Sequence, residues 1–529
     1  MRILLINPYY PISETPSPPL GLAYLASALE AAGVKVKILD LVVYPYSRRI
    51  LESLLKDFTP QMVGITAVTM TFDNAIKVIR DVKIIDPHIL TVMGGPHVTF
   101  CAQDTLRDYP ELDVIVLGEG EKTVVELAQT ADRKDRWDDI NGIAFRKDSA
   151  VFHTAARDFV QGLDTLPLPA RHLLALGRYR ALGMPVSLIT SRGCPFKCIF
   201  CIGRKMVGAK VRYRSPQRVV DEMQYLNTLN FHQINIADDL FTANKTHCMA
   251  VCDEILKRRL KIKWTSFARV DTVTDEILAR MKAAGCTGIS FGIESANEKI
   301  LKTIKKGITP RQVIDAVNMC NRAGITPYGS FILGLPGETP QTIDKTLEFG
   351  KQLKKMGLSF GFHLLAPFPG TEVREHAKKY GINILTNDWS EYHANKAIVE
   401  TPTVQPNRLD DIVIAWKNEY DGYLEDIKNR MQIGRATPDE IWEVRNLERI
   451  VLIYDLMMEN LIEEIGSWRV DEHPVSAEET LNRLVRKISG ATAHRPADIH
   501  QALQHAVGQG NLTFQSGDGQ VKWQWVDYL

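Results

Sequence analysis

From Arg2 onward, short apolar runs alternate with stretches whose apolar positions recur every three or four residues. "RILLINP" suits a buried strand, and "GLAYLASALEAAG" reads as an amphipathic helix closing at Gly33. "VKVKILDL" follows with period-two alternation. "MVGITAV", "ILTVMGG" and "VIVLGEG" are three more strand-like runs, with helical patterns at 74–85, 102–108 and 121–131 between them. Repeated βα units predict an α/β fold: a Rossmann-like, doubly wound parallel sheet of five strands over residues 1–140. Ligands of such sheets bind beyond the carboxyl ends of the strands. That nominates Asn7 and Pro8, Thr66 to Thr69, Gly94, Gly95, Pro96 and His97, and Gly118 and Glu119.

Residues 141–185 lose this rhythm. "FVQGLDTLPLPARHLLAL" holds two X-Pro steps and little sustained period, so the stretch reads as a linker. From 186 to 395 the alternation returns. "VSLITS", "QINIAD", "IKWTSFA", "GISFGIES", "YGSFILGL" and "SFGFHLLAP" are the strand-like runs, with helical patterns near 216–229, 245–258, 275–284, 309–323 and 340–356. Six strands in this order predict a partial (β/α)6 barrel of the TIM type, with chemistry at the carboxyl ends of its strands. Residues 396–529 predict a mostly helical domain. Thr437 and Glu440 form a capping-box pattern, and the tail reads as a hairpin turning at Asp518-Gly519.

Composition adds limits more than clues. A chain of 529 residues exceeds one hydrophobic core, and 45% hydrophobic with 24% charged residues is ordinary for a globular protein. The formal net charge of +1 gives no global attraction to nucleic acid or anionic lipid. Basic runs such as "LKTIKK" (301–306) read as solvated helix faces. No apolar stretch reaches the length of a membrane span, and the N-terminus lacks a signal peptide's three-part pattern. The expected location is the cytoplasm, where thiols stay reduced and clustered cysteines point to metal or catalysis.

Three of the eight cysteines crowd into "SRGCPFKCIFC" (191–201): Cys194, Cys198 and Cys201, just after the first barrel strand. Zinc asks for a fourth Cys or His nearby, and none follows within thirty residues. Three thiolates can instead hold three irons of a [4Fe–4S] cluster, leaving the fourth iron open. The loop, with Phe200 before its last cysteine, resembles that of the radical S-adenosylmethionine (SAM) superfamily over residues 186–370. The resemblance implies that SAM chelates the open iron and is cleaved reductively to a 5′-deoxyadenosyl radical. It also implies SAM contacts from Asp238 and Asp239, Arg269, Glu294 and Ser295. Gly334, within "GSFILGLPGE", is implied in packing the adenine. Two glycines usual beside the acidic turn are absent here.

The order "INPYYP…PPLGLAYLASALEAAG", "GGPHVTF", "LGEGE" ahead of that loop resembles the start of cobalamin-dependent radical SAM enzymes. Many cobalamin proteins carry Asp-x-His-x-x-Gly, whose histidine ligates cobalt. The first-strand loop here has no histidine, and "DPHILT" (86–91) lacks the glycine. The resemblance therefore implies cobalamin with its own base displaced and no histidine on cobalt, with His97 packing near the corrin or serving as a domain contact. Methylthiotransferases bring three more cysteines in a leading domain, but residues 1–185 hold only Cys101. Cys248, Cys252, Cys286 and Cys320 read as core thiols.

The implied reaction is methyl transfer from methylcobalamin to an unactivated carbon or phosphorus of a small molecule, after hydrogen abstraction. An external donor such as flavodoxin or ferredoxin would supply electrons, and oxygen would destroy the cluster. The alternative is a cyclase or ring-rearranging enzyme like the anaerobic tetrapyrrole cyclases. A non-catalytic corrinoid carrier would predict that Cys198→Ala leaves function intact. Trp264, Phe267, Phe360, Phe362, His363 and Phe368 are candidates for a substrate cavity or for core, and Tyr328 for hydrogen bonding or packing.

Overall fold

The structure, a computed structural model, describes residues 1–10, 16–148, 150–470, 476–517 and 519–529. The first sheet is built from β1 (Arg2–Asn7), β2 (Lys35–Asp40), β3 (Met62–Thr66), β4 (Leu90–Gly94), β5 (Val114–Val116), β6 (Ile143–Lys147) and β7 (Ala150–His153). Its order is β2-β1-β3-β4-β5-β6-β7. The first five strands are parallel, as their apolar runs predict. Leu4 and Ile6 point to one helical layer while Ile3 and Leu5 point to the other, all 2% exposed or less. Each such side chain contributes ~1.5–3 kcal/mol by leaving water.

Two expectations change here. The sheet has seven strands rather than five, because β6 and β7 add an antiparallel ribbon beyond β5. They come from the stretch read as linker. β6 is short and ends in Arg146 and Lys147, so its period carries little signal, yet pairing with β5 buries Ile143, Ala144 and Phe145.

The second sheet is fully parallel and follows the predicted partial barrel. Its strands are β8 (Val186–Leu188), β11 (Ile234–Ile236), β12 (Trp264–Ala268), β13 (Cys286–Glu294), β14 (Thr326–Leu333) and β15 (Ser359–Leu364), in the order β15-β14-β13-β12-β11-β8. A two-stranded clip, β9 (Ser191–Arg192) against β10 (Arg212–Tyr213), brackets the cysteine loop. Cys248, Cys252, Cys286 and Cys320 are fully buried in the barrel's core, as read.

The C-terminal region carries helices Pro406–Gln432, Pro438–Met458, Leu461–Ile465, Ala477–Ser489 and Pro496–Gly508. The Thr437–Glu440 capping box forms. The hairpin pairs Leu512–Gly517 with Gln520–Trp525, and Ser467–Arg469 joins it as an unforeseen third strand. Asp518, in the predicted turn, lies outside the described residues, as do residues 11–15 of the first-strand loop. One apolar cluster unites this region with Ala175–Met184 of the supposed linker and with Val42 and Val43 of the first domain. Buried Arg178 ties the same three parts together. It donates to the Val43 carbonyl (3.0 Å) and to the carboxylates of Glu463 (2.5 Å) and Asp527 (2.6 Å). No helix among the described residues is long and apolar enough to cross a membrane.

Candidate active site

The strand order of the first sheet reverses between β1 and β3. The crevice at such a switch point lies beyond the carboxyl ends of those strands, at Asn7 and Thr66. A cavity of about 580 Å³ opens there, and its far wall belongs to the barrel. Asn7, Thr66, Gly94, Gly95, Pro96, Gly118 and Glu119 line the sheet side; Ile189, Ser191, Arg192, Ala237 and Asp239 line the barrel side. The cavity also runs down between sheet and helix. Leu5, Gly64, Val92 and Val116 floor this slot, roofed by Leu22 and Leu25 of helix Leu20–Ala31.

Glycines allow close packing of the backbone at this wall. Gly95 has φ +105°, and an added Cβ would stand 2.6 Å from the Ala67 carbonyl oxygen. A Cβ at Gly64 would press on Leu5 Cδ2 at 2.9 Å.

His97 turns out of the cavity. It is 1% exposed, packs at a tilt on Phe72 (ring centroids 4.3 Å apart) and edge-on against Trp389 (4.8 Å), and sits 3.3 Å from Thr69 Oγ1 through Nδ1. Burial, with Arg374 nearby, lowers its pKa to about 4. His97 and Thr69 are thus packing partners and not wall residues, and Pro8 is also absent from the wall. Among the described residues, no histidine lines the cavity.

The cysteine loop is clamped by backbone bonds on both sides. Ile199, fully buried between Cys198 and Cys201, donates to the Ile304 carbonyl (3.2 Å) and accepts from the Val373 amide (2.9 Å). The Cys194 amide donates to the Gly208 carbonyl (3.0 Å), and the Gly203 amide points at Cys201 Sγ (3.3 Å). Burial raises the thiol pKa of Cys194 and Cys198, and lifts Cys201 to about 11. Lys306 and Arg269 pull the first two back. The described residues bring no three His, Cys, Asp or Glu side chains into single-ion geometry. A cluster asks for something different, one thiolate per iron at separate corners.

The barrel residues nominated from sequence divide. Asp239 lines the cavity and stands 3.2 Å from the position of a Cβ on Gly203, next to Cys201. Asp238 does not. It is buried and accepts from the Thr190 amide (2.6 Å), Thr190 Oγ1 (2.5 Å) and Ser191 Oγ (2.7 Å), which ties the ends of β8 and β11 together. Arg269 has its fork spent on Asp271 (2.9 and 2.8 Å), donates to the Lys306 carbonyl, and stacks on Phe196 at 3.7 Å. A bidentate carboxylate contact from Arg269 is therefore not available in this arrangement.

Glu294 pairs with buried Lys306 (2.7 Å) and holds φ +66°, an unusual backbone for glutamate, where β13 breaks register against β14. Phe200 packs on the core with the Lys306 ammonium 6.0 Å from its ring. Ser295 is buried and accepts from the Asn297 amide (3.2 Å), a turn role. Gly334 (φ +86°) and Leu335 donate their amides to Glu338 Oε2 (2.8 and 3.0 Å). Burial raises the Glu338 pKa to about 7.

Several residues were not singled out from sequence. Lys306 lay in a run read as solvated. Arg192, Arg212 and Glu121 join Glu119 in a buried lattice between the domains. Glu119 accepts from Arg212 (2.8 and 2.9 Å) and the Val160 amide (2.9 Å) and forms an ion pair with Arg192 (3.3 Å), which in turn pairs with Glu121 (2.6 Å).

Comparison with known proteins agrees with both halves of the cavity. Residues 13–128 match the model of the B12 binding domain, and residues 188–350 that of the radical SAM superfamily. A Pyrococcus horikoshii protein named as an uncharacterized methyltransferase is 37% identical over 400 residues, covering 74% of this chain and 86% of its own. The chain belongs to the cobalamin-dependent radical SAM enzymes. Within this family it is also similar to the anaerobic magnesium-protoporphyrin IX monomethyl ester cyclase of Rubrivivax gelatinosus. The identity is 29%, over 78% of this chain and 74% of that one. Among solved structures, the cobalamin-dependent SAM radical enzyme OxsB, with aqua-cobalamin and SAM bound, shares the fold. Its TM-score is 0.68 at 19% identity, over 98% of this chain and 82% of that one. The family's two cofactor-bearing parts thus face each other across one cavity. Phe267 and Tyr328 stand half exposed on the barrel's inner face, in register on either side of Ser290. Trp264 and Phe362 are buried, and Phe360 and Phe362 pack on Trp416, so these three are core and not cavity wall.

Proposed function

We propose that the protein is a cobalamin-dependent radical SAM methyltransferase acting on a small molecule at an unactivated carbon or phosphorus. One observation carries the reading: Gly94 and Gly95 at the sheet's strand ends and Asp239 beside the cysteine loop line one cavity. Bound together, the cluster with SAM would supply hydrogen-atom abstraction, and cobalamin would supply methyl transfer.

The chain's own residues do the rest. Cys194, Cys198 and Cys201 would bind iron as thiolates, so loading the site must release their protons. Lys306 and Arg269 offset the resulting negative charge from fixed, buried positions. Asp239 is placed to accept a hydrogen bond from a cationic amine within the cavity. The slot floored by Leu5, Gly64, Val92 and Val116 suits an apolar nucleotide base, which supports cobalamin with its base displaced. His97 is held by ring contacts with Phe72 and Trp389 away from the cavity, which supports cobalt without histidine. The Glu119 lattice joins the two domains at the cavity wall.

Methyl transfer is preferred over ring formation because the relative named as a methyltransferase is the more similar, at 37% against 29% identity. An external one-electron donor such as flavodoxin or ferredoxin, and a cytoplasmic setting, complete the reading. The test is anaerobic reconstitution with SAM, reductant and candidate extracts. Methylated product with S-adenosylhomocysteine supports methyl transfer, and 5′-deoxyadenosine alone supports the cyclase reading. In the cob(II)alamin state, electron paramagnetic resonance should lack the nitrogen splitting that an imidazole or benzimidazole ligand imposes.

A further inference from the structure

The strands of the partial barrel present two faces. Trp264 and Ala268 of β12, Ile289 and Phe291 of β13, and Phe331 and Leu333 of β14 belong to the core packed beneath the helices. The alternate positions face the barrel's interior, where a filled barrel carries bulky branched side chains. This interior carries Gly288 and Ser290 on β13, Ser330 on β14 and Gly361 on β15. A Cβ added at Gly361 would meet nothing within 4 Å. The barrel is hollow at that height.

Two large side chains do stand on this face, and neither is packed away. Phe267 is 52% exposed and Tyr328 44%, although β12 and β14 are interior strands of the sheet. They flank Ser290 in register, one strand to each side, so their backbones lie about 9.5 Å apart. A flat ring with a van der Waals contact on each face fills about 7 Å. Two aromatic side chains leaning in from a concave sheet leave room for one such ring. A Cβ at Gly288 would stand 2.8 Å from Tyr328 Cε2, so this glycine lets the tyrosine ring lie across β13.

The space has a polar end. Asn235 Oδ1 accepts from Thr265 Oγ1 (2.7 Å) and from Gln233 Nε2 (3.0 Å), which fixes the amide and leaves its N–H end as the donor on offer. Thr265 stands two positions before Phe267 and pairs with Gly288. The other end meets the cavity between the domains. Ala237 lines that cavity, and because Ile236 pairs with Ser266, Ala237 and Phe267 are neighbours across β11 and β12.

We propose that Phe267 and Tyr328 clamp a planar, unsaturated ring of the substrate, with Asn235 donating to a hydrogen-bond acceptor on the ring's edge. The substrate class is an aromatic or conjugated ring compound bearing a carbonyl or comparable acceptor. The inference rests on the reading of the adjoining cavity as the reaction site.

The experiment uses the full chain, reconstituted anaerobically, with 2-naphthamide and its saturated counterpart decahydronaphthalene-2-carboxamide as probes. Ligand-observed NMR gives the dissociation constants; melting temperature, iron and corrin content serve as folding controls. Wild type should prefer the flat probe by about fivefold, the order that ring–ring contacts add beyond buried area. Phe267→Leu/Tyr328→Leu keeps bulk and loses both π faces, and should erase that preference. Phe267→Leu alone, the milder change, should fall between. Asn235→Leu should weaken both amides by a factor of about five and keep the preference. Equal affinity of wild type for the two probes, tighter binding of the saturated one, binding of neither, or an unchanged preference in the leucine pair overturns the proposal. A chain that takes up neither iron nor corrin would sink the enzymatic reading instead, and the probes would still report on the clamp.

Discussion

Glu119 and Arg212 meet through two parallel hydrogen bonds of 2.8 and 2.9 Å, with 8% and 4% of their side chains exposed. Glu119 belongs to the loop after β5, on the B12-binding side. Arg212 opens β10, the strand paired to β9 just before Cys194. The two halves of the site are therefore joined by a buried charge pair 93 residues apart in sequence.

Glu119→Gln should loosen that joint. Removing one charge leaves Arg212 and Arg192 buried with an incomplete partner, a loss of ~3 kcal/mol or more. The pH dependence has a definite sign. Burial alone would raise the Glu119 pKa; the Arg212 hydrogen bonds, the Val160 amide and the Arg192 charge overcome it and leave it lowered. Its stabilising contribution is present above the unfolded value of about 4.3 and is lost as pH falls through the lower folded value. Urea denaturation at pH 7 and at pH 3 should show wild type and variant converging at the acid end.

Gly95→Ala should separate the two cofactor sites. The backbone there, φ +105°, costs an alanine on the order of 1–3 kcal/mol, and the new Cβ points at the Ala67 carbonyl. Cobalamin retained per chain, read from corrin absorbance, should drop sharply. Iron retained per chain should stay at the wild-type level.

Cys198→Ala should do the reverse. With two thiolates left on the loop, iron and sulfide content should collapse and the broad visible absorption vanish, while cobalamin still binds. A variant that kept a full iron complement would contradict the ligand assignment.

Asp40 supplies a pH effect of opposite sign. It is buried at the end of β2, accepts from Asn7 Nδ2 (2.8 Å) and Tyr179 OH (2.7 Å), and burial lifts its pKa to about 6. A raised folded pKa means the folded state holds the proton longer. Stability from this group is therefore full below about pH 4 and declines until about pH 6, by ~3 kcal/mol. Asp40→Asn should flatten the melting-temperature profile across that window.

The cysteine loop stood out because ligand spacing is a matter of residue type and local order, and both are written within eight positions. The βα rhythm was legible for the same kind of reason, since each strand or helix advertises its buried face within its own length. Asn7, Thr66, Gly94 and Gly118 could be placed at the crevice because strand ends follow directly from strand positions. Where the expectations failed, the deciding contact came from elsewhere in the chain. Asp238 and Asp239 are neighbours, yet Thr190 and Ser191 claim one while the cavity takes the other. Arg269 looked free until Phe196 and the Lys306 carbonyl closed on it.

By itself, then, the amino-acid order determined which chemistry this protein can carry and the two α/β frameworks that present it. Folding in three dimensions decided which side of a turn faces the cavity, that β6 and β7 extend the first sheet, that Glu119 locks to Arg212, and that a plain lysine run borders the cysteine loop. The physical reason is reach. Periodicity and ligand spacing act over a few residues and leave a local signature. Burial of a charge against its partner, or of His97 against Trp389, depends on segments distant in the chain, and no short stretch records it.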